Sequence, residues 1–563
     1  MLIVSEQRMD FTQCYPDTVS SVAAAARSGC RRRLRRLIKK GRSVDCRDNR
    51  GWKALHEAAA AGNEECLQEI LSAVDGSSQG SRAYVNSLTH EGESACYLAA
   101  QRGHLSVVQL LLKRHANINQ LTNDLSCPLY AAVDGGHKDV VELLVSKGAE
   151  VNRTHTASCW TCLHQAVYKG HHEIVRILVN VCNLEARDDH RITPLFVAAQ
   201  YGQQECLEIL VNAGANVNTQ AADLATPLLI ASQEGHLACV DFLLDHGADP
   251  NKACSHDWPQ LPIHAAAEFG HISILRRLIA VTDRVCDQYY GMVSPLYTAV
   301  HRNESIELLL SEGYSPDAQD CTHILGYCSP LSYALSCTSK NPYSESVRLL
   351  IAAGASLSET DWICVFLSGE KDLLQLILEH RWIAPPETLA MNSSVPNRHG
   401  KTVLKLQELR GLLCVILNQV HFAAYWLPLL MKAGLEPSLL LQPHMLEHAD
   451  GAVLNYLLEF VNWSTLSVPL KRILDQRRVE KTWKPCLPFD SIPSLSHICR
   501  LQVRSVLGPD LLMRTSVVQQ LPVPSPMHGF LKFSDIPEPS YTESPQLLHG
   551  GARNGNTQHI HVL

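Results

Sequence analysis

Apolar residues fall along this chain in short clusters with helical spacing, and the clusters keep a common phase. Val107, Val108, Leu110, Leu111 and Leu112 form one cluster; Val140, Val141, Leu143 and Leu144 form the next. Recurrence at i, i+3 and i+4 predicts an amphipathic helix rather than a strand. Ahead of each cluster lies a shorter apolar run with a fixed grammar: TPLFVAA at 193–199, TPLLIAS at 226–232, LPIHAAA at 261–267 and SPLYTAV at 294–300. Weaker copies read KALHEAA from 53, SACYLAA from 94, CPLYAAV from 127, TCLHQAV from 161 and SPLSYAL from 329. Successive starts lie 32 to 35 residues apart, except for one step of 41 between 53 and 94. The turn-rich stretch Asp75–Gly80 makes room for that insertion.

A second marker keeps the same phase. At a constant offset from each start stand Gly62, Gly103, Gly136, Gly170, Gly202, Gly235 and Gly270, with Asn303 next in line. Glycine enters the left-handed conformation at little cost, so this position closes one helix before a tight turn into the next. Units then end on Gly-Ala and an Asx turn, as in Gly214–Asn218 and Gly247–Asn251. Segment 20–49 reads as a divergent first unit and Trp362–Trp382 as a degenerate last one. The T-P-L-H-x-A-A run, the glycine and the leucine-rich second helix resemble the ankyrin repeat over residues 18–385. That resemblance implies an all-α solenoid of about ten to eleven helix–turn–helix units with β-turn fingers, each burying its apolar face against its neighbours. Residues 1–17 are left as an N-terminal segment.

The period absorbs several residues that otherwise suggest chemistry. His104, His137, His171, His236 and His271 follow the turn glycine, and His56, His164 and His264 occupy the fourth place of TPLH. At such regular positions the rings are expected to hydrogen-bond turn backbone. Cys159 and Cys162 form a CxxC, but Cys162 stands at the proline place and no second CxxC completes a four-thiolate site, so both read as structural thiols. The basic run Arg31–Lys40 carries Leu34, Leu37 and Ile38 on one face. It reads as the charged outer helix of a terminal unit, with a basic recognition patch as the alternative. Gly411–Met431 lacks charged side chains, yet Asn418, Gln419, His421 and Pro428 interrupt it, which favours a buried helical hairpin over a membrane span. Phosphate loops, a nucleophile elbow and HExxH are absent. No catalytic residue, cofactor or metal is therefore assigned, and a non-catalytic chain is expected.

Composition narrows the class further. The chain has 563 residues, 46% hydrophobic and 19% charged, which excludes wholesale disorder. A net charge of −7 argues against a general nucleic-acid binder. Twenty cysteines spread from Cys14 to Cys499, with no apolar leader ahead of them, read as reduced thiols of a cytoplasmic or nuclear protein.

Beyond 385 the period fades, and residues 386–490 read as a degenerate helical extension with a loop at 392–402. Then Leu495, Cys499 and Val503 recur at i, i+4 and i+8 on one short helix, which Pro493 starts and Gly508-Pro509 ends. So short a segment cannot make a substantial core, and its stripe needs a groove on a partner or on the last units. Leu521-Pro522-Val523-Pro524 follows as a stiff extended element. The pattern S-L-x-x-x-C-x-x-x-V followed by L-P-x-P resembles the SOCS box, here 491–534. The whole layout is similar to the ankyrin repeat and SOCS box family.

This resemblance implies that Leu495 enters a pocket of elongin C, with Cys499 beside it and Val503 extending the contact. Leu521, Pro522 and Pro524 would then touch a cullin. The implied partners are elongin C and elongin B, Cullin-5 and its RING-box protein. The implied function is a substrate-recognition subunit of that E3 ligase, its repeats holding a target protein for ubiquitination and proteasomal degradation. The alternative is a non-ligase adaptor whose terminal box only caps the stack. Pro526 and Gly529 are expected to shorten the last helix, and the tail 535–563 to be disordered. Asn152 and Asn218, each ending a Val-Asn pair, are candidates for the hydroxylation seen in similar repeats.

Overall fold

A computed structural model of the chain describes residues 19–74, 78–155, 158–254, 260–284, 293–318, 321–337, 345–367, 371–384, 402–485, 493–507 and 525–539. It divides into two compact units, Met1–Asp283 and Arg284–Leu563.

The first unit is built from helix pairs that follow the repeat. Among the described residues they run from Ser21–Arg27 with Arg31–Lys39, through Pro128–Asp134 with Lys138–Ser146, to Pro262–Phe269 with Ile272–Ile279. The recurrent T-P explains each helix start. Thr193 and Thr226 accept the backbone N–H of Phe196 at 3.3 Å and of Leu229 at 3.1 Å, filling the N-cap role. Pro194 and Pro227 then sit in the first turn, where a missing N–H costs nothing. Leu195, Leu207, Leu210, Leu228, Val240 and Leu243 are fully buried between successive pairs.

The glycine–histidine marker has a physical cause. Gly103 has φ +77°, and a Cβ there would lie 2.4 Å from Nδ1 of His137 in the next turn. The His137 Nε2–H donates to the Gln101 carbonyl at 3.0 Å; His104, His236 and His271 make the same bond to Ala60, Gln200 and Gln233 at 3.1, 3.1 and 2.9 Å. His171 departs from this pattern, its Nε2 buried with no partner among the described residues. The TPLH histidines tie differently. His56 accepts the Lys53 N–H on Nδ1 at 3.0 Å and donates from Nε2 to the Ser87 carbonyl at 2.9 Å. His164 likewise reaches the Ile192 carbonyl at 3.1 Å.

Two local expectations are corrected. Of the 75–80 insertion, residues 78–80 open an additional helix, Ser78–Val85, rather than a turn, and 75–77 lie outside the described residues. Tyr84 and Val85 at its end are buried, and the Tyr84 hydroxyl donates to the Val44 carbonyl at 2.8 Å, which offsets the weak helix preference of its Ser and Gly residues. Of the loop assigned to 392–402, Thr402 instead belongs to a short strand, Thr402–Val403, pairing in parallel with Arg381–Trp382; residues 392–401 lie outside the described residues.

The second unit contains the helix pairs Pro330–Cys337 with Glu345–Ala352 and Glu359–Leu367 with Lys371–His380. Spanning the uncharged stretch 411–431, Leu406–Asn418 and the segment 420–433 meet at 88°, so the expected buried helical hairpin is a sharp elbow. Leu412, Ile416, Trp426, Leu427 and Leu430 are fully buried in it, and Trp426 Nε1–H closes the corner on the Gln419 carbonyl at 3.1 Å. No single helix among the described residues is long and apolar enough to cross a membrane.

Candidate partner-docking site

The helix Leu495–Leu507 packs within the second unit, and it does so with its polar side inward. At about 100° per residue, His497, Arg500 and Arg504 share one face, while Leu495, Cys499, Gln502 and Val506 share the opposite one. The cationic face is the buried one: Arg504 is only 6% exposed, and Arg500 and His497 are comparably covered. The apolar face is in solvent, with Leu495 76% and Val506 72% exposed and Cys499 also exposed.

Aromatic rings make the inverted orientation tolerable. Phe460 and Phe533 stack at 4.6 Å between centroids. The Arg500 guanidinium lies 3.9 Å from the Phe533 centroid and 4.4 Å from that of Phe530, and it also bonds the Asp535 carboxylate. The Arg504 guanidinium sits 5.1 Å from Phe460 and 5.4 Å from Phe533, and donates to the Met431 carbonyl at 2.9 Å. Cation–π contact and a charge-assisted hydrogen bond partly replace the water each cation has lost. Burial still pulls the Arg504 guanidinium down to about 10, leaving it protonated at neutral pH. His497 completes the face, its ring 4.6 Å from that of Trp463 and its Nε2 bonded to the Val461 carbonyl at 3.1 Å.

Of the residues singled out in the sequence, Leu495 and Cys499 share the outward face. Val503 is half-buried at its edge, and the far end of the exposed stripe is Val506, which the i, i+4, i+8 spacing passed over. Leu521, Pro522 and Pro524 lie outside the described residues. The last helix among the described residues, Ser525–Leu531, is a short seven residues, and it brings Phe530 beneath Arg500.

A second exposed feature belongs to the first unit. Tyr168 and Tyr201, at the ends of consecutive first helices, meet edge to face at 4.9 Å, and Trp160 meets Tyr168 at 5.6 Å. Both tyrosines are exposed, as is Phe269 at the end of another first helix of this unit. A signal for this lay in the repeat: where Tyr168 stands, neighbouring copies carry Asp134, Gln200, Gln233 and Glu268.

Ankyrin-repeat family models match residues 22–68, 77–155, 154–221 and 228–320, and a SOCS box model matches 491–532. Ankyrin repeat and SOCS box protein 3 of Homo sapiens is 41% identical over 532 residues, covering 94% of this chain and 97% of that protein. The chain belongs to the ankyrin repeat and SOCS box family. The Bos taurus protein of the same name is 40% identical over 531 residues, with 94% and 96% covered. Ankyrin repeat and SOCS box protein 14 of Mus musculus shares 28% identity over 296 residues, about half of either chain. Within this family assignment, the inverted helix Leu495–Leu507 is the first part of the SOCS box.

Proposed function

We propose that this family member is a substrate receptor of a cullin–RING ubiquitin ligase, acting in the cytoplasm without chemistry of its own. Family membership supports the coarse reading of a ligase adaptor. The finer reading is that Leu495 and Cys499 dock on elongin C, itself paired with elongin B, with Val503 at the rim of the contact. Leu521, Pro522 and Pro524 then select Cullin-5 with its RING-box protein. The repeats hold a target protein, which is ubiquitinated and sent to the proteasome. Holding target and charged ubiquitin carrier in one assembly raises their effective concentration, which is the receptor's whole contribution to rate.

The observation that carries this reading is the orientation of the SOCS-box helix. A helix serving only to cap its own unit would bury Leu495 and expose its arginines, because burying a leucine is worth about 1.5–3 kcal/mol whereas burying a guanidinium costs free energy. Turning Leu495 outward gives that gain to a partner instead. The Trp160–Tyr168–Tyr201 cluster is the proposed target-binding face, since rigid aromatic rings supply large contact area at small entropic cost.

Affinity capture of the full chain, beside Leu495→Glu and a Leu521→Ala/Pro522→Ala double variant, tests the assignment. Elongin C should be lost with Leu495→Glu. Cullin-5 should be lost with both variants, while elongin C is kept by the double variant. Failure of the wild-type chain to recover elongin C would leave the capping adaptor as the better reading.

A further inference from the structure

The CxxC that suggested little in the sequence comes apart in the structure. Cys159 is exposed with φ +59°, while Cys162 is buried and faces residues from elsewhere in the repeat array. Cys127 starts the helix Pro128–Asp134, His155 lies in the finger that follows, and Cys162 begins the helix Cys162–Tyr168. All three side chains are buried, and their ligand atoms lie within 4.8 Å of one another. His155 Nε2 is 3.6 Å from Cys127 Sγ and 3.8 Å from Cys162 Sγ.

The hydrogen bonding assigns the imidazole nitrogens. Nδ1 is 2.8 Å from the Leu125 carbonyl, so it carries the proton. Nε2 is then a lone pair aimed between two thiols, and it can accept from only one of them. A backbone carbonyl fixing Nδ1–H is the support commonly given to a metal-bound histidine. A second such support is present at Cys127, whose Sγ accepts the Tyr130 N–H at 3.4 Å. The Tyr130 ring packs against the imidazole at 4.7 Å and holds its plane.

We propose that Cys127, His155 and Cys162 bind one thiophilic d10 metal ion, Zn2+ or Cu+. Metal–sulfur and metal–nitrogen bonds of about 2.3 and 2.0–2.1 Å place S and N about 3.6 Å apart in a tetrahedral site and about 3.8 Å apart in a trigonal one. The two sulfur–nitrogen distances span those values, and the sulfurs, within 4.8 Å of each other, need to close by no more than about 1 Å to the roughly 3.8–4.0 Å that such bonds set. Both thiols would be deprotonated on binding and their protons released to solvent. The ion would clamp two consecutive units through the finger that leads into Trp160 and Tyr168. This proposal is independent of the ligase reading.

The test uses the full chain without a polyhistidine tag, purified under reductant and without chelator. It is reconstituted separately with Zn2+ and with Cu+, and metal is counted by mass spectrometry. One equivalent per chain is expected in at least one arm, and the arm that saturates names the metal. X-ray absorption on the loaded wild-type chain should show a mixed first shell of two sulfurs with nitrogen. The Cys127→Ser/Cys162→Ser double variant should lose the equivalent, and the control Cys206→Ser/Cys239→Ser should keep it. No stoichiometric uptake in either arm, an all-sulfur shell, retention by the double variant, or a Cys127–Cys162 disulfide under reductant would each overturn the site. The absorption measurement needs no variant, so a double variant that misfolds does not protect the proposal.

Discussion

Arg504 is the residue whose replacement most sharply separates how the SOCS-box helix is held from what it presents. Arg504→Ala removes a charge-assisted hydrogen bond to the Met431 carbonyl, worth about 1.5–3 kcal/mol, and two ring contacts of about 0.5–1 kcal/mol each. It also opens a void beside Phe460 and Phe533. Against that stands relief from burying a cation, one of whose nitrogens, Nη1, has no partner among the described residues. The net expectation is a loss of about 2–4 kcal/mol in the anchoring of this helix, a factor of about 30 or more in its opening equilibrium. Arg504→Met keeps the stem volume, removes the charge and should lie within about 1 kcal/mol of the wild type. Hydrogen exchange of amides 495–507 reads the opening directly, with the helix Ala54–Ala60 of the first unit as internal reference. Unchanged protection in Arg504→Ala would refute the anchoring role. Equal damage from Met and Ala would refute the claim that filling the stem's volume offsets the loss of the charge.

Three further outcomes are expected. Gly103→Ala places a Cβ against the His137 ring in a left-handed backbone, so it should lower the urea midpoint by the equivalent of about 2 kcal/mol or more, whereas Gly148→Ala, with open space around it, should cost only the strain of its positive φ. Burial holds the His56 imidazole at about 4, below its ordinary 6.5. The unfolded chain therefore binds the extra proton between those values: stability is full above about pH 6.5, falls by up to about 3 kcal/mol as pH drops towards 4, and should fall less steeply in His56→Gln, measured by urea denaturation across that range. Tyr168→Ala/Tyr201→Ala should abolish target capture while leaving elongin C capture and the thermal melt nearly unchanged; a large drop in melting temperature would mean that the two rings serve the stack instead.

The repeat was legible because each of its marks has a local cause. Thr-Pro starts a helix, a glycine at positive φ ends it, and the histidine of the next repeat needs that glycine's bare α-carbon to reach the backbone carbonyl beside it. The first two need no distant chain, and the third draws only on the adjacent copy of the same repeat. What escaped was set by tertiary partners. The stripe Leu495–Cys499 was visible, but its outward direction was decided by Phe460, Phe530 and Phe533, which give Arg500 and Arg504 somewhere to go. Val506 stands at i+11 on that same outward face, outside the i, i+4, i+8 spacing. The helix Ser78–Val85 was hidden by a Ser/Gly-rich start and revealed by its buried Tyr84. The thiol–imidazole cluster draws one residue from each of three places, so no contiguous motif announces it.

The docking claim rests on one face of one helix, and calorimetric titration of purified elongin B–elongin C onto the full chain tests it most directly. Leu495 is largely exposed in the free chain, so its loss should weaken binding without unfolding anything. Saturable one-to-one binding is expected of the wild-type chain and none detectable of Leu495→Glu, with superimposable thermal melts. Binding that survives Leu495→Glu, or a melt that collapses with it, would contradict the account: Leu495 would then be either a bystander or part of the core.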